Sequence, residues 1–160
     1  VWDIFVKNMD VLKSMIEAKI GRSIELINGT VSGENRQQAI KRFREGDSMV
    51  LLANPATLAE SISLHRVCQN AIYVNRNFNA AQFIQSKDRI HRINMPTGTT
   101  AHYYFIENVD TIDTAISERL EIKENRMLKI LDADDISIGG AEMEDTNIMS
   151  NEDIAETYMR

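Results

Sequence analysis

Apolar residues along the chain alternate between short β-prone runs and helical spacings. Strands are predicted where apolar residues run together, at residues 1–5, 23–27, 49–53, 71–74 and 101–106. Helices are predicted where apolar positions recur every three or four residues, at residues 9–20, 35–45, 80–92 and 112–131. The continuous apolar runs 49–53 and 71–74 are typical of strands buried on both faces. The alternation predicts an α/β fold with a mostly parallel central sheet, helices on both faces, and ligands beyond the carboxyl ends of the strands.

Length and charge predict one domain followed by a tail. A chain of 160 residues is long enough for one domain with a sizeable core. Apolar periodicity fades after Asp132, and residues 130–160 hold nine acidic residues and one basic residue. We therefore predict a lobe of residues 1–131 and an acidic tail or extension of residues 132–160. The net charge of −6 divides into −8 for residues 130–160 and +2 for the rest, so it does not exclude nucleic-acid binding.

Several classes of protein are disfavoured by the composition. The longest apolar runs are only a few residues, so no membrane span is expected. The chain opens directly on Val1 without the features of a secretory signal, and we expect it to be cut from something longer. The lone Cys68 forms no internal disulfide, which favours a reducing, cytoplasmic location. The three histidines, at positions 65, 91 and 102, are too scattered for a zinc set, so no metal site is predicted.

The most informative stretch is the basic run at residues 85–93, which has the sequence QSKDRIHRI. On a helix, Gln85, Arg89 and Arg92 would fall within roughly 60° of one another. Two guanidinium forks aimed together suit the oxygens of a transferring γ-phosphoryl group. The same spacing also fits a solvated basic face, so the residues alone leave both interpretations open.

This run closely resembles motif VI of superfamily 2 helicases, especially the Swi/Snf-like branch, where the pattern is QxxDRxHRI. The resemblance implies a RecA-like three-layer fold, the second of two lobes in a motor. It also implies that Arg89 and Arg92 act as arginine fingers on ATP held by the other lobe, with Gln85 nearby coupling the nucleotide to the lobe interface.

The order of features upstream of the run is similar to that family over about residues 1–131. A strand and a helix are followed by the Asn28–Gly29 turn and a helix that carries Arg36. Residues 57–64 occupy the place of motif V, AGGxGxNL, although its glycines are replaced here. The resemblance implies nucleotide contacts at Glu60 and Ser61, and nucleic-acid contacts at Asn28, Gly29, Arg36 and Thr57. The departures from the pattern indicate a divergent member, such as one encoded by a phage or a mobile element.

What the chain lacks shapes the predicted mechanism. No GxxxxGK[ST] phosphate loop occurs in the 160 residues. The resemblance then implies that ATP and Mg²⁺ are held mainly by an N-terminal RecA-like lobe of the same full-length protein. The isolated chain is predicted to be inactive, and the expected partner is nucleic acid, in the first place double-stranded DNA. The alternative is a non-enzymatic RecA-like adaptor that binds a protein partner.

Overall fold

The computed structural model describes residues 1–57, 62–92, 95 and 97–131. Its helices are α1 (Val6–Ile20), α2 (Gly33–Glu45), α3 (Ala80–Lys87) and α4 (Ile112–Leu131). Its strands are β1 (Glu25–Ile27), β2 (Leu51–Ala53), β3 (Asn70–Tyr73) and β4 (His102–Phe105). The alternation predicted from the apolar pattern is confirmed, whereas the predicted acidic tail lies outside the described residues.

The first residues of the chain form the centre of the sheet. β1 pairs with β2 and β3 pairs with β4, both in parallel, and Trp2 forms parallel bridges to Ala53 and Tyr73 between the two pairs. The Trp2 N–H donates to the Ile72 carbonyl (2.7 Å), and the Trp2 carbonyl accepts from the Val74 N–H (2.9 Å). The order across the sheet is therefore β1, β2, residues 1–3, β3 and β4, with all strands parallel.

Helices cover both faces of the sheet, and the core on one face is larger than the core on the other. One face carries Trp2, Ala53 and Tyr73 into the main core, where residues of α2, α3 and α4 join them. On the other face, Met9 of α1 packs with Leu52 in a smaller cluster that also contains Ile24. The three-layer arrangement is confirmed, with α1 packed over the β1–β2 side.

The prediction that the strand at residues 71–74 is buried on both faces is wrong. Burial alternates along β3, where Ala71 and Tyr73 are buried and Ile72 is 38% exposed. On β4, Tyr104 is paired in register with Ile72 and is 53% exposed. The reason is that the apolar cluster beneath α1 reaches β1 and β2 but includes no residue of β3 or β4.

Local signals in the sequence set several helix ends. Ser32 caps α2 by accepting a hydrogen bond from the Asn35 N–H (3.3 Å). Asn79 caps α3 in the same way through the Gln82 N–H (3.1 Å). α1 stops at Gly21, whose φ of 68° lies in the left-handed region that glycine adopts without a Cβ clash. Among the described residues, no helix is both long enough and apolar enough to span a membrane.

Candidate functional site

The loops that follow the strands meet at the carboxyl edge of the sheet, where ligands bind in open parallel sheets. A Cβ added at Gly29, after β1, would lie 4.0 Å from the Thr57 hydroxyl oxygen, after β2. Two of the four predicted nucleic-acid contacts are therefore neighbours in space. Thr57 is partly exposed and its N–H donates to the Asn54 carbonyl (3.1 Å), which fixes a tight turn.

The other two predicted nucleic-acid residues have contacts within the lobe. Asn28 is 4% exposed, and its side-chain oxygen accepts from the N–H (3.0 Å) and the hydroxyl (2.7 Å) of Thr30. Arg36 is half-buried on α2, where one guanidinium nitrogen donates to the Val31 carbonyl (3.5 Å). Asn28 shapes the turn that carries Gly29, and Arg36 lies over the start of its own helix.

Three polar residues lie between these loops, two of them buried and Asn75 half-buried, and sequence reasoning missed them. Asp3 ends the central segment of the sheet, and Asn54 and Asn75 come after β2 and β3. We call these three residues the polar cluster. The Asn75 amide nitrogen donates to the Asp3 carboxylate (2.7 Å), and the Asn54 amide nitrogen donates to the Asp3 carbonyl (3.2 Å). A signal was present in the sequence for two of them, because Asn54 and Asn75 directly follow the predicted strands 49–53 and 71–74.

The predicted helix over residues 80–92 is wrong at its end, because α3 stops at Lys87. Residues 88–90 form a turn in which the Ile90 N–H donates to the Lys87 carbonyl (3.2 Å). The Arg89 carbonyl leaves the helical pattern and accepts from the Leu64 N–H (2.7 Å). This long-range bond, together with burial of Ile90 at 2% exposure, overrides the helical preference of the local sequence.

The shared helical face predicted for Gln85, Arg89 and Arg92 is therefore not present in the structure. Arg89 is 8% exposed and one of its guanidinium nitrogens donates to the Ile62 carbonyl (3.4 Å). Arg92 is exposed, and its Nε donates to the Asp88 carbonyl (3.4 Å). Gln85 is exposed on the last turn of α3. Glu60 and Ser61 lie outside the described residues.

The two guanidinium groups still influence each other. Burial lowers the pKa of the Arg89 guanidinium below its usual value, and the positive charge of Arg92 lowers that pKa further. The arginine turn, residues 88–92, thus holds two positive charges, of which that of Arg89 lies against the segment 62–64. An exposed fork beside a buried one can receive an anionic group from outside the lobe.

A metal site is not formed within the described part of the chain. Those residues contain no group of three or more histidine, cysteine, aspartate or glutamate side chains that could hold an ion. The Ser63 hydroxyl lies 2.5 Å from His65 Nδ1, and that histidine is buried at 8% exposure.

Comparison with known families decides what kind of lobe this is. The family described as the helicase conserved C-terminal domain matches residues 3–94, more than half of the chain. The chain belongs to that family. The matched region includes the polar cluster, the Gly29–Thr57 neighbours and the arginine turn, so the residues assembled above are those of a helicase C-terminal domain.

Similar proteins agree with this assignment. Chromodomain-helicase-DNA-binding protein 1-like from Danio rerio is 32% identical over 85 residues, which cover 53% of this chain and 8% of that protein. The crystal structure of the C-terminal part of the Fun30 ATPase domain aligns with a TM-score of 0.65 and 21% identity, covering 74% of this chain and 38% of that one.

A second similar structure is the Sulfolobus solfataricus SWI2/SNF2 ATPase core in complex with dsDNA. It aligns with a TM-score of 0.57 and 19% identity, covering 81% of this chain and 26% of that core. The fold is therefore the RecA-like fold of these ATPase cores, as the Swi/Snf-like resemblance of the sequence implied. The chain spans well under half of each of the three proteins.

Proposed function

We propose that this chain is the second motor lobe of an ATP-dependent helicase or translocase that acts on double-stranded DNA. The observation that carries the proposal is the family match over residues 3–94, because it includes both arginines of the arginine turn. The choice of DNA is supported by the name of the Danio rerio relative and by the dsDNA with which the similar SWI2/SNF2 ATPase core forms a complex.

The proposed nucleotide is ATP with Mg²⁺, held mainly by an N-terminal RecA-like lobe of the same full-length protein. The donor chemistry of this chain fits that division, because guanidinium forks match phosphate oxygens and not a metal ion. Bound ATP supplies the γ-phosphoryl group whose transfer to water drives the motor. The exposed Arg92 would donate to an oxygen of that group, and Gln85, exposed on the last turn of α3, would couple the nucleotide to the lobe interface.

Arg89 has a different part in this proposal because it is buried. Its guanidinium donates to the Ile62 carbonyl and its own carbonyl accepts from the Leu64 N–H, so it joins the arginine turn to the segment that follows residues 58–61. At the carboxyl edge, Gly29 and Thr57 would contact the DNA backbone. Contacts to phosphates carry no base information, so we expect tracking that is independent of sequence.

The test is ATP turnover by the full-length protein with and without duplex DNA. We expect DNA-stimulated turnover in the wild type and a large loss in Arg92→Ala. The matched control is Arg126→Ala, which removes an exposed arginine of α4 that is not part of the arginine turn. A folded full-length protein without ATP turnover would instead support the adaptor interpretation, and equal losses in both variants would overturn the assignment of Arg92.

A further inference from the structure

We propose that the polar cluster, Asp3, Asn54 and Asn75, is a positioning unit that fixes the DNA-facing and nucleotide-facing loops relative to each other. The inference rests on the proposed function and deepens it, because it names residues that act on the site from behind. None of the three touches ATP or DNA in the proposed mechanism. They act by holding the backbone of the loops that make those contacts.

Each side-chain amide of the cluster donates through its nitrogen and accepts through its oxygen. The Asn54 nitrogen donates to the carbonyls of Asp3 (3.2 Å) and Ile4 (3.0 Å), and its oxygen accepts from the Ala56 N–H (3.0 Å). The Asn75 nitrogen donates to the Asp3 carboxylate (2.7 Å), and its oxygen accepts from the Ile4 N–H (2.7 Å). Two loops are thereby bound to one central turn.

The centre of the cluster is a buried carboxylate. Asp3 is 1% exposed and Asn54 is 7% exposed. The Asp3 carboxylate also accepts from the Phe5 N–H (2.8 Å), so the turn into α1 depends on it. A buried polar network whose members are satisfied specifies one arrangement of its partners, whereas apolar packing tolerates several. The polar cluster therefore restricts the geometry of these loops more than the apolar core beneath them does.

The loops bound in this way carry the proposed contacts. Asn54 accepts through its backbone carbonyl from Thr57, the residue next to Gly29 across the edge. Asn75 lies in the connection from β3 to Asn79, the cap of α3, and α3 carries Gln85 and leads into the arginine turn. The turn at residues 3–5 joins both. A displacement of Asn75 relative to Asp3 would therefore move the DNA side and the nucleotide side of the lobe apart.

The exchange of amide and carboxylate between positions 3 and 75 tests this unit. In the full-length protein, Asn75→Asp removes the donor and places a second carboxylate beside Asp3. We expect the DNA concentration for half-maximal stimulation of ATP turnover to rise at least about tenfold, because a charge-assisted bond is replaced by repulsion. The double variant D3N/N75D restores an amide–carboxylate pair, and most of the loss should be recovered.

Two controls separate positioning from stability. Asn108→Asp makes the same chemical change at the exposed start of α4, where the Asp113 carboxylate accepts from the backbone and side-chain nitrogens of Asn108 (3.1 Å each). It should leave the DNA dependence unchanged. Leu52→Val weakens the small core under α1, and at a comparable fall in melting temperature it should also leave the DNA dependence unchanged.

Hydrogen exchange of the same full-length variants completes the test. The amides of Phe5 and Ala56 donate to side chains of the cluster, so Asn75→Asp should speed their exchange and D3N/N75D should slow it again. Unchanged exchange at both amides, or a Leu52→Val variant that loses DNA stimulation equally, would overturn the positioning unit. If the wild type hydrolyses no ATP, the proposed function fails, and the exchange of these two amides alone decides the cluster.

Discussion

At the scale of single residues, the two motif VI arginines differ in their surroundings. Arg89 is 8% exposed and bonded to the Ile62 carbonyl, whereas Arg92 is exposed beside the Asp88 carbonyl. The sequence predicted one open face for both. A buried guanidinium contributes to the folded lobe as well as to any ligand, so the two positions should respond differently to the same substitution.

Replacing either arginine by lysine keeps the charge but removes the bidentate fork. In the full-length protein, we expect Arg92→Lys to lower ATP turnover by at least about a hundredfold, given the roughly 10³–10⁵ that arginine fingers contribute in dissected hydrolases. The loss should appear in kcat more than in KM, because a finger acts on charge that develops in the transition state.

The melting temperature separates the two positions. Arg92→Lys should melt like the wild type, because Arg92 is exposed and surface substitutions usually change stability by less than about 0.5 kcal/mol. Arg89→Lys should melt lower, since the ammonium cannot reproduce the buried guanidinium contacts. Near-normal turnover in both lysine variants would return the basic run to the other interpretation, that of a solvated basic surface.

At the scale of elements, the sheet depends on a central segment of three residues. Trp2 bridges β2 and β3 and is 4% exposed, and its ring stacks near Tyr73 with centroids 6.3 Å apart. The two strand pairs are joined through this segment. The backbone of Trp2 holds the two strand pairs together, and its side chain belongs to the main core.

Trp2→Ala should remove core volume while it keeps the backbone bonds to Ile72 and Val74. Large-to-small changes of buried aromatics cost about 3–5 kcal/mol, which corresponds to a fall of roughly 10 °C or more in melting temperature for a domain of this size. The comparison variant is Tyr104→Ala, at a position that is 53% exposed on β4, where we expect a change within about 0.5 kcal/mol. Equal falls in the melting temperature of the two variants would show that the side chain of the central segment contributes no more to stability than an exposed side chain at the edge.

A second element-scale contact joins the end of β4 to α4. Arg76 donates to the Glu107 carboxylate and to the Ser117 hydroxyl (2.6 Å), and its guanidinium lies 4.6 Å from the centre of the Phe105 ring. The hydrogen bond from Ser117 and the charge and hydrogen bond of Arg76 hold the pKa of Glu107 below its usual value. The ionised carboxylate is thus favoured in the folded state.

The lowered pKa of Glu107 makes this contact dependent on pH. A group whose folded-state pKa is depressed stabilises the fold above its unfolded pKa, and that stability is lost as pH falls through the folded pKa. Glu107→Gln should therefore lower stability at pH 7 by less than about 1 kcal/mol, because the pair is partly exposed. The difference between variant and wild type should shrink in melts at about pH 3. A constant difference across pH would contradict the assignment.

At the scale of the whole molecule, charge is divided unevenly along the chain. Residues 130–160 carry −8, and residues 1–129 carry +2. A body of such low positive charge can neutralise few phosphates, so binding of the lobe to DNA should be weak and strongly dependent on salt. A tail of high negative charge should oppose that binding within a Debye length of the surface.

Removal of the residues after Leu131 tests the effect of the acidic tail. We expect DNA affinity at low salt to increase in the truncated chain, and the difference to shrink as salt is raised towards 1 M, where the Debye length is about 3 Å. Binding isotherms over a salt series, measured by fluorescence anisotropy, provide the comparison. Unchanged affinity upon truncation, with salt dependence retained, would mean that the tail does not act as an electrostatic shield.

The sequence by itself determined the order of elements and the family. Short apolar runs predicted the strands, and apolar positions every three or four residues predicted the helices, because burial imposes these patterns locally. The run at residues 85–93 sufficed for the resemblance to superfamily 2 helicases, since the identity of its residues does not depend on where the helix ends. Ser32 and Asn79 likewise cap their helices through neighbours three residues away.

The tertiary structure alone decided the features that depend on contacts between distant residues. Asn54 and Asn75 lie 51 and 72 residues from Asp3, so no local pattern could predict that they meet. α3 ends at Lys87 because the Arg89 carbonyl bonds to the Leu64 N–H, a partner that the helical spacing cannot reveal. β3 leaves one face exposed because α1 packs elsewhere on the sheet, and the composition of a strand does not state which helix will cover it.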